Sequence, residues 1–168
     1  SKRGKNAKAF DFPKICPSCG VKTVKEYNIN TKKKDAVTRC PDLKFNCKEI
    51  LREKLKHFVS KEALNIEGFG KKVVENFWDK KLIKFSYDIF DLDLNILKNL
   101  DGWGEKSINN LKNSINKSKK VSLDRFIFSL GIRHIGDENA KVLAKNFINV
   151  SNFFKISKNL RNNKTKFI

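Results

Sequence analysis

From Glu49 onward, apolar residues recur along this chain every three or four positions, and glycine turns interrupt the rhythm three times. Ile50, Leu51, Leu55, Phe58 and Val59 fall on one side of a helix predicted over about 49–59. Ser60-Lys61-Glu62-Ala63 reads as the cap of a short helix that leads onward. A short pattern then appears three times. Ile66-Glu67-Gly68-Phe69-Gly70 runs into Val74 and Phe77, Leu100-Asp101-Gly102-Trp103-Gly104 into Ile108 and Leu111, and Ile132-Arg133-His134-Ile135-Gly136 into Ala140 and Leu143. In each copy an apolar residue precedes the last glycine, and apolar residues follow it at one-turn and two-turn spacing, which is one helix face. Each copy therefore predicts a hairpin feeding a helix. Between the copies, Phe90, Leu94, Leu97 and Leu100 predict an apolar helix over 89–100. Ser122-Leu123-Asp124-Arg125 starts another, buried through Phe126, Ile127 and Leu130. The near-even spacing of Gly70, Gly104 and Gly136 fits helix-hairpin-helix units stacked into one all-α bundle.

The N-terminal part follows another rule. Polar and β-branched residues alternate from Val21 to Arg39, which predicts a short hairpin, and cysteines flank it as Cys16-x2-Cys19 and Cys40-x6-Cys47. This is metal-ligand spacing. Cys16-Pro17-Ser18-Cys19-Gly20 forms a knuckle whose tight turn aims two thiolates at one ion, and Gly20 relieves the backbone just after it. The segment has too few apolar residues to fold alone, so a metal would supply its stability. Four thiolates without a nearby spare histidine favour a closed, structural Zn2+ site. The alternatives are two disulfides, a redox pair or unpaired thiols, and the second gap is wider than a standard knuckle. The fold class expected is mainly α, with a small four-cysteine zinc-finger module carrying a short β-hairpin, then an all-α helix-hairpin-helix bundle.

A turn at a helix start exposes unpaired backbone N–H groups at the positive end of the helix dipole, and these bind a phosphate without reading a base. Three such turns suggest a ruler for a nucleic-acid backbone. The candidate contacts are Gly68, Gly70, Lys71 and Lys72 in the first copy, Gly102, Gly104 and Lys106 in the second, and Arg133, His134 and Gly136 in the third. Lys71 and Lys72 make the first copy the strongest phosphate site, and Glu105 with Lys106 leaves the second roughly neutral. In the third, Asp137 and Glu138 suit the helix dipole but oppose a phosphate, so it should contribute least, with Arg133 as its main contact. The formal net charge of +19, from 37 basic and 18 acidic residues, agrees with a polyanionic partner. Bulk charge is a weak pointer, because lysine, asparagine, isoleucine and phenylalanine all have AT-rich codons. Phe69 and Trp103 read as core packing rather than base-stacking groups, and His57 as a packing or capping residue rather than a metal ligand. His134 has two readings, a phosphate donor or a structural hydrogen bond. Lys32-Lys33-Lys34 reads as a solvated loop.

The run from His57 to Gly70, preceded by the four-cysteine module and followed by Leu130-Gly131-Ile132-Arg133-His134-Ile135-Gly136, closely resembles the bacterial NAD+-dependent DNA ligases over about residues 13–154. The resemblance implies a modular parent with an adenylylation domain, an oligonucleotide-binding barrel (OB-fold), a zinc module, four helix-hairpin-helix motifs and a final interaction domain. Under it, residues 1–12 resemble the tail of the barrel, 13–48 form the zinc finger, 49–156 carry three of the motifs, and 157–168 are a truncated or irregular tail. The family's adenylylation motif, Lys-x-Asp-Gly, does not occur in this sequence, since Lys98-Asn99-Leu100-Asp101-Gly102 is one residue too long. The expected role is thus the clamp that grips nicked duplex DNA in replication and repair, without sequence specificity and without catalytic residues of its own. The parent would require NAD+ and Mg2+ at sites outside this stretch. The implied setting is a monomer in the bacterial cytoplasm, associated with the nucleoid, in agreement with the absence of a bilayer-length apolar run or a signal-peptide pattern. The sequence begins without methionine and looks like a fragment of something longer. The competing reading is a stand-alone, noncatalytic DNA-binding accessory protein of repair built from the same parts.

Overall fold

The computed structural model describes residues 11–28, 31–42 and 46–163. Almost all of the leader over 1–12 therefore lies outside the described residues. The elements in order are β1 (Tyr27–Asn28), β2 (Lys33–Lys34), α1 (Lys48–Val59), α2 (Lys71–Asp79), 3₁₀ helices at Ser86–Phe90 and Leu94–Asn99, α3 (Glu105–Ser118), α4 (Leu123–Ser129), α5 (Asp137–Phe147) and α6 (Val150–Asn163). The chain separates into two compact units between Leu51 and Arg52, within α1.

In the first unit β1 and β2 pair antiparallel, Tyr27 opposite Lys34 and Asn28 opposite Lys33. Isolated bridges join Ile15 to Lys22 and Val24 to Arg39. The expected hairpin is present. Lys33–Lys34, expected in a loop, are instead its second strand, although they are solvent-exposed as a lysine run should be.

The second unit has two apolar cores. In the larger, Leu55, Phe58, Leu64, Phe69, Val74, Phe77, Ile89, Leu97, Ile108 and Leu111 pack together with neighbouring side chains. Phe77 meets Phe69 edge-on at 5.3 Å and lies 5.6 Å from Trp103, so the rings preceding the last glycines of two hairpins share one partner. The smaller core centres on Ile127, Ala140 and Phe153, with Phe126, Leu143 and Phe147 packed against them. Two polar links join these cores. The His57 imidazole Nε2 lies 2.8 Å from the Phe128 carbonyl, and its ring sits edge-on to Phe128 at 4.8 Å. Arg125 donates from Nε to the Ala63 carbonyl at 2.8 Å and from Nη2 to the Lys61 carbonyl. Gly131 has φ +58°, so the turn favours glycine, while a Cβ there would stand 3.4 Å from His57 Cδ2, an ordinary packing contact.

Three expectations need correction. The helix expected over 89–100 is two 3₁₀ helices, because aspartates cap the backbone locally. Asp88 accepts the N–H groups of Lys84 and Phe85, both at 2.7 Å, and Asp93 accepts that of Asn95 at 3.0 Å. Residues 60–63 form turns rather than a short helix. The returning N–H groups of Ala63, Leu64, Asn65 and Ile66 satisfy the carbonyls of Ser60, Phe58, Ser60 and Val59, which closes the end of α1. Finally, α6 continues to Asn163, so the first part of the segment expected to be a truncated or irregular tail is helical rather than irregular.

Candidate metal centre and nucleic-acid interface

The knuckle closes through two backbone hydrogen bonds, Cys16 N–H to the Val21 carbonyl at 2.8 Å and Gly20 N–H to the Cys16 carbonyl at 2.9 Å. Gly20 takes φ +71°, the left-handed turn that lets Cys16 and Cys19 face the same point. The hairpin then returns Cys40, and Asp42 Oδ1 accepts the Cys47 N–H at 3.0 Å. All four sulfurs lie within 4.8 Å of one another, with Cys16 and Cys47 at 3.9 Å and Cys19 and Cys40 at 3.5 Å. A tetrahedron of thiolates at a zinc–sulfur distance of ~2.3 Å has edges of about 3.8 Å, so the sulfurs stand where a tetrahedral ion would hold them. All four cysteines are free thiols in this arrangement.

The thiols are electrostatically in conflict. N–H groups of Cys19 and Ser18 aimed at the Cys16 sulfur lower that thiol to about 7. At Cys40 the Asp42 N–H favours the thiolate, but burial and the three neighbouring sulfurs outweigh it and push the group up to about 12. A divalent cation held by Cys16, Cys19, Cys40 and Cys47 would resolve the conflict by stabilising all the thiolates together. Four cysteines are thus placed to hold a metal ion, with no open coordination position for catalysis.

The three hairpins share one backbone design. The carbonyls of Ile66, Leu100 and Ile132 accept the N–H groups of Phe69, Trp103 and Ile135 at 3.1, 3.2 and 3.0 Å. The third residue of each turn has positive φ: +81° at Gly68, +81° at Gly102 and +64° at His134. Gly70, Gly104 and Gly136 then serve as extended N-caps of α2, α3 and α5, and their carbonyls accept the N–H groups of Val74, Ile108 and Ala140. The last glycine of each motif has an ordinary extended torsion and open space where a Cβ would stand, whereas Gly68 and Gly102 hold left-handed torsions that favour glycine. At Gly102 no atom lies within 4 Å of an added Cβ, so the cost of Gly102→Ala is conformational. It should lower stability by about 1–2 kcal/mol in urea titration, the penalty for a left-handed non-glycine residue.

Each sequence-derived contact residue sits on or beside a hairpin, and all are exposed. The three helix starts differ chemically. Gly70 has no side-chain cap, and exposed Lys71 and Lys72 follow it. Lys56 of α1 reaches Glu75 of α2 and Glu53 at 2.8 Å each, which ties this hairpin's helix to α1. Those carboxylates hold the ammonium above the ordinary lysine range. At the second start, Ser107 Oγ accepts the Gly104 N–H at 3.0 Å, so one of its donors is already engaged. At the third, Lys141 binds Asp137 and Glu138 at 2.7 and 2.9 Å, and one cation against two carboxylates leaves a net negative charge. Asn139 Nδ2 donates to the His134 carbonyl at 2.8 Å, which holds the backbone of that turn. Phe69 is buried and Trp103 packs against the larger core, so both rings are core residues.

Sequence reasoning missed one surface. An open groove of about 780 Å³ runs between the first and second hairpins, bounded by Glu67, Gly68, Gly102 and Trp103 and floored by Ser107, Asn110, Asn113, Ser114 and Lys117 of α3. These α3 residues recur every three or four positions, away from Ile108, Leu111 and Ile115, which are buried on the other side. The signal was an Asn/Ser stripe, which reads as ordinary solvent face until the two hairpins are seen to border it.

Residues 125–160 match the family model described as a helix-hairpin-helix motif. The chain is 56% identical over 156 residues to a protein named DNA ligase from Pelagibacter ubique, covering 93% of this chain and 23% of that one. It is 46% identical over 169 residues to a DNA ligase from Rickettsia bellii, with 97% and 24% covered, and 45% identical over 168 residues to a DNA ligase from Rickettsia rickettsii, with 96% and 23% covered. The chain therefore spans just under a quarter of the length of the curated relatives it matches, and the resemblance to DNA ligases is borne out over nearly its whole extent.

Proposed function

We propose that this chain, akin to one segment of the DNA ligases, is the DNA-gripping part of an NAD+-dependent enzyme that seals nicks in duplex DNA during replication and repair. The observation that carries the reading is the threefold repetition of one backbone turn, each ending in a glycine N-cap that presents helix N–H groups to solvent. Such donors meet phosphates and carry no base preference. The α3 face between the first two hairpins adds neutral hydrogen-bond donors along the same path. Zn2+ is the ion assigned to Cys16, Cys19, Cys40 and Cys47, in a structural role that fixes the N-terminal unit. NAD+, Mg2+ and the adenylylation and OB-fold domains belong to the parent protein in this reading, and the segment alone is inactive. Among the described residues no helix is long and apolar enough to cross a membrane, in keeping with a nucleoid-associated role in the bacterial cytoplasm.

The decisive experiment adds this segment to separately expressed adenylylation and barrel domains and follows sealing of a nicked duplex. Stimulation supports the ligase reading. Duplex binding without stimulation favours a stand-alone accessory protein instead.

The hairpins rank by local charge. Gly70→Asp should weaken nicked-duplex binding about tenfold or more, by placing a carboxylate at the most cationic turn, whereas Gly136→Asp should change it only a few-fold. Anisotropy titration checks the order, and a larger effect at Gly136 would reverse the ranking. Removing Lys71 and Lys72 together should also reduce the slope of log affinity against log salt by about two.

A further inference from the structure

A second surface of the same unit has chemistry that the hairpins do not use. The connection after α2 carries Phe85 and Tyr87, whose rings stack with centroids 5.4 Å apart and planes 20° from parallel. Tyr87 is 63% exposed, so its ring offers a flat apolar surface to solvent. Lys84 Nζ sits 5.1 Å from the centre of the Phe85 ring. The Asp88 carboxylate is turned back onto the Lys84 and Phe85 N–H groups at 2.7 Å, which fixes the turn and draws this acid's charge toward the backbone. Phe90, anchored edge-on against Phe58 at 6.1 Å, has Lys119 Nζ at 6.0 Å from its own ring. Among the described residues, neither Lys84 nor Lys119 is paired with a carboxylate.

We propose that Tyr87, stacked on Phe85 with the Lys84 ammonium over the Phe85 ring, is a platform for an unpaired base of single-stranded DNA. A nucleotide carries a flat π face and an anion in one unit, and an exposed ring beside an unpaired ammonium group matches both. An acidic peptide supplies the anion alone and leaves the ring uncovered. A duplex keeps its bases stacked inside, so only an unpaired stretch such as a frayed or displaced end presents a base to Tyr87. The platform follows the C-terminus of α2 while the first hairpin precedes its N-terminus, and a helix of nine residues is about 13 Å long. It is therefore distinct from that hairpin's phosphate site, and the inference extends the DNA-binding reading above from paired backbone to unpaired bases.

The test compares the unaltered chain with Tyr87→Ala and Tyr87→Phe, using a short fluorescent oligo(dT) strand and a blunt duplex as separate probes. Tyr87→Ala should weaken oligo(dT) binding about tenfold, the scale of one lost stacking contact, while Tyr87→Phe retains it. Duplex affinity should stay unchanged in both variants, which also shows that they fold. Equal oligo(dT) affinity for the unaltered chain and Tyr87→Ala would overturn the proposal. So would an equal loss on both probes, or Tyr87-dependent binding of poly-glutamate in place of oligo(dT). Failure of the hairpin reading shows separately, as absence of duplex binding by the unaltered chain.

Discussion

Cys47→Ser is expected to abolish stoichiometric zinc binding and to unfold residues 13–47, leaving the helices of the second unit in place. The physical reason is the poverty of apolar burial among the described residues of this stretch. Ile15, Val24, Tyr27 and Val37 are 61, 38, 57 and 50% exposed, whereas Cys16 and Cys47 are themselves buried. Two-residue strands and two isolated bridges supply few hydrogen bonds. Metal binding in small zinc modules is worth ~10–16 kcal/mol at neutral pH, which exceeds anything else available to such a segment. A serine oxygen is a poor substitute for thiolate, and three sulfurs leave the ion open to water and chelators. Zinc content per chain, measured together with backbone amide exchange, checks the expectation. A Cys47→Ser chain that kept one zinc and slow exchange across 13–40 would show that the metal is not what holds this unit. Chelation of the unaltered chain should give the same result, reversed on adding the ion back.

Phe77→Ala should lower the stability of the second unit by about 3–5 kcal/mol, among the largest effects of any single truncation in it. Phe77 is fully buried and contacts Phe69 and Trp103, the rings at the bases of the first two hairpins. Truncation leaves a cavity between them that rigid helices cannot collapse to fill. The melting temperature should fall on the order of 10–20 °C, given the few degrees that each kcal/mol commands in a unit of this size. Phe77→Leu, which retains most of the volume, should cost far less. Urea unfolding followed by helical circular dichroism measures both variants, and near-equal midpoints for Phe77→Ala and the unaltered chain would mean that the ring is not the keystone of this core. Duplex binding should weaken in Phe77→Ala even where the chain remains folded, because both hairpins then lose a fixed base.

Much of this was legible in the sequence for local reasons. Helix periodicity is a property of neighbouring residues, so Ile50, Leu51, Leu55, Phe58 and Val59 announced α1 without help from the rest of the chain. Glycine turns are equally local: the hairpins read at Gly68 and Gly102 are present, each with a left-handed torsion, and His134 takes the same torsion in the copy that lacks the glycine. Where the reading of 89–100 failed, side chains had captured nearby backbone. Asp88 and Asp93 broke an apolar helix into two 3₁₀ turns, a competition that hydrophobic spacing does not register.

By itself, then, the sequence determined the four-cysteine module, the three turn-helix copies and their order, since each depends on contacts or torsions within a short stretch. Only the tertiary structure decided which parts meet. It brought Phe77 between Phe69 and Trp103, set His57 against the Phe128 carbonyl and Gly131, and turned an Asn/Ser stripe of α3 into the floor of a groove between two hairpins. It also placed Lys119 beside the ring of Phe90 and left Tyr87 open to solvent. Those pairings join residues far apart in the chain. Their formation depends on shape and volume complementarity among whole elements, which periodicity along one element does not encode.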